Sequence, residues 1–79
     1  MRDLKQEQKK LQQRYRLHLN RIKKHHRLYD KELALLFGWN VDQADLVRKL
    51  RSGDAEIHTC DIITLSHNLI QEYKDTSLL

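Results

Sequence analysis

The sequence predicts an all-α fold, a small bundle of four to five helices that begins with an extended basic helix. The 79 residues include no proline and only two glycines, Gly38 and Gly53. Leucine, lysine, glutamine, arginine and glutamate, which favour helices, are abundant, and no segment alternates apolar and polar residues as a strand would. A chain of this length buries only about 60% of the surface that it exposes when unfolded, so we expect a thin core.

The first helix is predicted from about Asp3 to His26, because apolar and aromatic side chains recur there at helical spacing. The residues that share this face are Leu4, Leu11, Tyr15, Leu19, Ile22 and His26. The first dozen residues contain only two of them. We therefore expect that part to be frayed, or to be helical only against a partner.

Two short helices follow, and each ends at one of the glycines. Asp30 is expected to cap the second helix, and Gly38 to end it, since glycine readily takes a positive φ. Asn40 is expected to cap the third helix, with Gln43 completing a capping box, and Gly53 follows its end. The side chains expected to face inward are Leu33, Ala34 and Phe37 in the second helix, and Ala44, Val47 and Leu50 in the third.

The fourth helix is predicted to begin near Cys60 or Asp61, with Cys60 as a small buried residue. Its expected inner face is Ile62, Leu65, Leu69 and Tyr73, flanked by Ile63 and Ile70. The cysteine and the histidines lack the spacing of a zinc site, and adjacent His25 and His26 diverge by about 100° on a helix. No glycine-rich phosphate loop is present. We therefore expect neither an enzyme nor a metal or cofactor.

Charge is distributed very unevenly along the chain. Residues 1–27 contain ten of the fifteen lysines and arginines but only two of the eleven acidic residues, a net charge of +8. The remaining residues carry five bases and nine acids, a net charge of −4. A basic segment joined to a mildly acidic body indicates a polyanionic partner, most commonly nucleic acid. The alternative is a solvated helix that has no partner.

Two stretches resemble the Cro/C1-type (XRE) helix-turn-helix family and together cover roughly residues 16–70. In "RIKKHHRLYDKELALLFGW", three residues have the spacing found in the family. Asp30 is at the position of the residue that caps helix two, Ala34 is at the position where the second and third helices touch, and Gly38 is in the turn. In "LVRKLRSGDAEIHTCDIITLSHNL", the pair "SG" and the run "IITLS" stand where the family ends its third helix and forms its fourth. Small Ala34 lets two helices approach, and Gly38 allows a left-handed turn. The resemblance implies a Cro/C1-like helix-turn-helix fold.

The corner between the second and third helices departs from the family pattern. Gly38 and Gly53 are fifteen positions apart, which is longer than usual, so extra residues stand near "WNVDQAD". A weaker resemblance, around "KLRSGDAE" and "CD", is to the YehS-type domain of unknown function. On the first resemblance, the chain divides into a basic N-terminal extension (1–14), a helix-turn-helix domain (15–74) and a C-terminal tail (75–79).

The Cro/C1-type resemblance implies sequence-specific binding of double-stranded DNA by a small transcriptional regulator, with the third helix in the major groove. The residues implied to read bases are Asn40, Gln43, Arg48 and Lys49. Those implied to contact phosphates are Arg21, Lys23, Lys24, Arg27 and Lys31. Amide side chains suit adenine, and basic side chains suit phosphates. Helix capping is the alternative role of the two amides, and a solvated surface that of Arg48 and Lys49.

Asp42 and Asp45 stand at the start of the predicted recognition helix, where carboxylates would face phosphates at close range. They either favour the helix through its dipole or indicate that this face binds a protein instead. The alternative function is therefore a protein–protein interaction module, such as a phage or plasmid accessory factor, whose basic first helix docks on an acidic protein partner. Trp39, just after the turn, either plugs the core or contributes to a dimer contact.

The chain is also expected to form a homodimer and to be located in the cytoplasm. The resemblance and the thin core favour a homodimer, formed through one of two surfaces. These are the fourth helix with the tail (Ile63, Ile70, Leu78 and Leu79) and the N-terminal helix (Leu4, Leu11 and Tyr15). No apolar run approaches the roughly 20 residues that span a bilayer, so no membrane partner is expected. A single cysteine fits a reducing compartment, and we expect a cytoplasmic protein.

Overall fold

The computed structural model describes residues 4–78, which form an all-helical structure with four α-helices. They are α1 (Leu4–His25), α2 (Asp30–Leu36), α3 (Ala44–Ser52) and α4 (Thr59–Tyr73). A 3-10 turn, Val41–Gln43, leads directly into α3. The all-α prediction is confirmed. Asp3 and Leu79, which the sequence assigned to the start of the first helix and to a dimer surface, lie outside the described residues.

One side of each helix, together with the connecting segments, forms the core. The buried hydrophobic residues are Leu19, Ile22, Leu28, Leu33, Ala34, Leu36, Phe37, Val47, Leu50, Ile57, Ile62, Leu65 and Leu69. The inward faces predicted for the second and third helices are thus confirmed, apart from the half-buried Ala44. Within residues 4–78, no helix is long and apolar enough to cross a membrane.

Only the C-terminal half of α1 contributes to this core. Leu19 and Ile22 are buried, whereas Leu4 is 74% exposed and Leu11 is 38% exposed. Leu4 and Leu11, the two leucines of the first dozen residues, are therefore outside the core. The early turns of α1 are helical nevertheless.

The start of α2 is capped differently from the prediction. The backbone N–H of Tyr29 donates to the Glu32 carboxylate at 3.1 Å, so the chain enters the helix at Tyr29. Asp30 is the first helical residue, and the prediction that it is the cap is wrong. Its two carboxylate oxygens instead accept hydrogen bonds from the Arg51 guanidinium at 2.8 and 3.0 Å. This ion pair ties α2 to α3.

Both ends of α4 also differ from the prediction. Cys60 is exposed rather than buried, because it stands two positions before buried Ile62 and so lies on the other side of the helix. Tyr73 is 41% exposed, and its ring lies against the imidazole of His26 with 4.5 Å between centroids. The tail then turns back onto the body, where the Asp75 carboxylate lies 2.8 Å from His26 Nε2.

Candidate nucleic-acid interface

The turn between α2 and α3 is a glycine-dependent helix end. Gly38 has a φ of +82°, a conformation in which a Cβ is strained. Its N–H donates to the Leu35 carbonyl at 2.9 Å, and the next N–H, of Trp39, donates to the Ala34 carbonyl at 2.8 Å. This pair of bonds satisfies two carbonyls that would otherwise be free at the helix end. The direction in which the chain leaves α2 is therefore fixed.

Trp39 stabilises the same turn from the side. Its ring stacks on Phe37, with centroids 4.6 Å apart and planes inclined by 14°. Trp39 is half-buried and packs against the core, while Phe37 belongs to it. These contacts favour the interpretation of Trp39 as a packing residue of the corner.

The segment after Trp39 begins with the predicted capping pattern. The backbone N–H of Asn40 donates to the Gln43 side-chain oxygen at 3.3 Å. Both residues are exposed, and the amide NH₂ of Gln43 is not used in this bond. Capping and base contact are therefore compatible for Gln43, because its oxygen and its nitrogen can serve different partners.

The outward face of α3 carries charges of both signs. Val47 and Leu50 point into the core, and the residues between and before them point outward. The exposed charged residues of this face are Asp42, Asp45, Arg48 and Lys49. Arg48 lies 4.0 Å from Asp45 in a solvent-exposed pair, which contributes little to stability. Two acids and two bases cancel, so this face has no net charge.

A polar cluster that the sequence analysis missed fixes the orientation of α3. The Arg51 guanidinium pairs with Asp30 of α2 and donates to the Asn20 side-chain oxygen of α1 at 3.3 Å. The Asn20 amide in turn donates to the Arg51 carbonyl at 3.3 Å. A signal was present in the sequence: Arg51 follows buried Val47 by four positions, which places both on one side of the helix.

The five predicted phosphate contacts do not share one environment. Arg21, Lys24 and Arg27 are exposed around a shallow hollow at the end of α1. Lys23 turns inward, and its ammonium donates to the Leu28 carbonyl at 3.0 Å, so it fastens the loop after α1. Lys31 is exposed, with its ammonium 5.8 Å from the centre of the Tyr29 ring.

Lys10 and Arg14 join Arg21 and Lys24 on the outward side of α1, although they were not among the predicted contacts. All four are exposed. The signal for this face is the spacing of the four positions, which repeats at helical intervals. The predicted phosphate contacts did not include Lys10 and Arg14 because residues 1–14 were assigned to an extension outside the helix-turn-helix domain.

The carboxyl group of Asp75 has a lowered pKa. The hydrogen bond from His26 and a second from the Ser77 N–H, at 2.9 Å, lower the pKa of Asp75 from 3.8 to about 2. This pair lies at the junction of α1 and the tail, and it holds the C-terminal end of α1 in place. Among residues 4–78, no group of three or more His, Cys, Asp or Glu side chains could hold a metal ion.

No protein-family model, curated protein or solved structure matches the chain. The Cro/C1-type resemblance therefore depends on the motifs around Ala34, Gly38 and Gly53, and it stays a prediction.

Proposed function

We propose that the chain binds double-stranded DNA in a sequence-specific manner through the corner of α2 and α3, as a small transcriptional regulator of Cro/C1 type. One observation carries the proposal: the segment that follows Gly38 is held on the core by its inner side and is exposed on its outer side. The exposed candidates for base contact are Asn40, Gln43, Arg48 and Lys49.

The proposed roles follow from the chemistry of each side chain. The Gln43 amide can bond the N6 and N7 atoms of adenine, and Lys49 or Arg48 can donate to base edges or phosphates. The exposed bases Arg21, Lys24, Arg27 and Lys31 are proposed to contact phosphates, which position the protein without reading sequence. Lys23 is proposed to support this surface indirectly, through the loop carbonyl that it binds.

A homodimer on a two-fold operator is part of the proposal, since a single short helix reads only a few base pairs. In support of a contact through α4, Ile63 is 63% exposed and lines an apolar groove with Ile70 and Leu78. The hydroxyl of buried Ser66 in this groove has no hydrogen-bond partner.

The proposal is tested by selecting bound sequences from a pool of random duplexes with the whole chain. We expect an enriched two-fold motif, and a pool that stays random would contradict the proposal. The Gln43→Glu variant sharpens the test, because a carboxylate still accepts the Asn40 N–H but lacks the NH₂ donor. We expect this variant to keep its stability and to lose the preference for adenine at one position of each half-site.

A second candidate function, binding of a protein partner by the same face, is favoured by a specific observation. Val41 is 53% exposed and Leu46 is 36% exposed, and these apolar side chains lie beside exposed Asp42 and Asp45. A face that mixes apolar and acidic side chains is better suited to contact a protein partner than to contact the phosphates of DNA.

A further inference from the structure

We infer that the main phosphate-binding surface of the protein is the outward face of α1, and that its partner is the backbone of duplex DNA. We call this surface the basic face; it comprises Lys10, Arg14, Arg21 and Lys24, with Leu17 among them. The inference rests on the proposed function in that both involve DNA. It goes further in assigning the main electrostatic attraction to a row along α1 that extends from Lys24 back to Lys10, beyond the phosphate contacts of the proposed function.

The basic face follows from the period of the helix. Its five residues are separated by four, three, four and three positions, which aligns them along one side of α1. The row is about 21 Å long at 1.5 Å per residue. Leu19, which is fully buried, lies on the opposite side of the helix. The row therefore faces solvent, away from the core.

The four cations of the basic face form no ion pair with a described residue, and the one acidic residue of the described part of α1 is Glu7, one turn before Lys10. From Gln8 to His25, α1 contains no aspartate or glutamate. The ion pairs found in the described part of the chain involve other bases, namely His26, Arg48 and Arg51. The outward face of α3, by contrast, has two acids for its two bases. Long-range attraction of a polyanion must then come chiefly from α1.

The composition of the face identifies the class of polyanion. It has no aromatic side chain on which unpaired bases could stack, which argues against single-stranded nucleic acid. Leu17, 72% exposed, is its one apolar residue, which is too little for a helix that inserts into a membrane surface. A duplex, with one charge per about 1.7 Å of its axis, suits a straight row of cations better than the sparser carboxylates of a protein do.

The test compares two double variants with equal charge loss. Lys10→Gln/Arg14→Gln removes half of the basic face, whereas Lys9→Gln/Lys74→Gln removes two exposed charges from other surfaces. Lys9 is a well-matched control, because it adjoins Lys10 in sequence but lies about 100° around the helix. Binding of each whole chain to one 25-base-pair duplex is measured by fluorescence anisotropy over a range of salt concentrations, and helicity is checked by circular dichroism.

We expect the basic-face variant to flatten the slope of log affinity against log salt by about 1.8, since each lost phosphate contact removes about 0.9. At 0.1 M salt this corresponds to roughly 60-fold weaker binding, if affinity at 1 M is unchanged. The control variant should bind within a few-fold of the parent. Leu17→Glu, which places a carboxylate inside the row without removing a base, should also weaken binding.

Each alternative outcome is decisive. Equal losses in the two double variants would show a general effect of net charge and overturn the inference. So would unchanged duplex binding by the basic-face variant, above all if it instead loses binding to polyglutamate, which would identify an acidic protein as the partner. Salt-dependent loss in the basic-face variant, without any motif in the random-duplex selection, would support the inference and contradict the proposed function.

Discussion

The outward faces of α1 and α3 are both exposed and both carry charge, but they differ in the balance of that charge. The basic face of α1 has four bases and no acid. The face of α3 has two bases and two acids, and Arg51 binds its helix to α2 and α1 through Asp30 and Asn20. One face is suited to attraction, which needs charge but little precision. The other is suited to discrimination, which needs a fixed orientation.

This division has a physical reason. Attraction between a cation row and a polyanion is long-ranged and tolerates small displacements. A bidentate contact to a base fails when the side chain moves by a fraction of a hydrogen-bond length. A helix that distinguishes between base sequences must therefore be held in a fixed orientation by packing and by side-chain contacts with its neighbours. The comparison can be tested by disturbing the packing under α3, the bond between the end of α1 and the tail, or the charge of the α3 face.

The largest effect is expected from Leu50→Ala, which removes a buried side chain from under α3. Leu50 is 3% exposed, so the cavity should lower the free energy of unfolding by about 2–4 kcal/mol. Leu46→Ala is the matched control, since the same truncation at a 36% exposed position one turn earlier should cost about 1 kcal/mol or less. Urea denaturation measures both.

Duplex binding by the Leu50→Ala variant distinguishes the role of the α3 face from that of the basic face. At a temperature where Leu50→Ala is still folded, we expect it to lose discrimination between selected and scrambled duplexes. Its salt dependence should persist, because the basic face on α1 is untouched. If discrimination survives while the salt slope falls, the assignment of roles to the two helices is reversed.

A smaller effect is expected from the bond that holds the end of α1 to the tail. The pKa of Asp75 is about 2 in the folded protein, below the ordinary value of 3.8, mainly because His26 donates to it. A lowered folded pKa means that the stabilisation is present above pH 3.8 and is lost as the pH falls through 2. With its side chain 16% exposed, the group should contribute about 1–2 kcal/mol.

The measurement is the difference in free energy of unfolding between the parent and Asp75→Asn as a function of pH. We expect the parent to be the more stable near neutral pH. The difference should shrink between pH 4 and pH 2, where the carboxylate of the parent becomes protonated. A difference that is constant over this range would mean that the bond with His26 does not depend on the charge of Asp75.

Much of the helical frame was predictable because it follows from local rules. Gly38 and Gly53 both have positive φ, as their positions after helical segments predict. The bond from the Asn40 N–H to the Gln43 side chain follows from a three-residue spacing. Periodicity likewise predicted that Leu33, Val47 and Leu65 face the core.

Helix spacing did not predict the contacts that side chains make with residues outside their own helix. Asp30 has the right residue type for a cap, yet it binds Arg51, twenty-one positions away, and Tyr29 stands in the capping position. Lys23 belongs to a basic run, but its ammonium is taken by the Leu28 carbonyl once the loop folds back. Spacing along one helix carries no information about which neighbouring segment will approach it. The sequence was sufficient to predict that the candidate base-contacting residues are exposed. It was not sufficient to predict whether they bind DNA or a protein.

The double variant Asp42→Asn/Asp45→Asn is expected to have the smallest effect on stability. It is also the most informative variant about the partner of the α3 face. Both carboxylates are exposed, and that of Asp45 lies 4.0 Å from the Arg48 guanidinium, so the free energy of unfolding should change by under about 0.5 kcal/mol. If α3 faces a groove, removing two charges about 10 Å from phosphates should strengthen duplex binding by about fourfold. Glu56→Gln/Glu72→Gln, on other surfaces, is the charge-matched control. Duplex affinity that does not rise above that of the control would place the α3 face on a protein partner, with DNA left to the basic face alone.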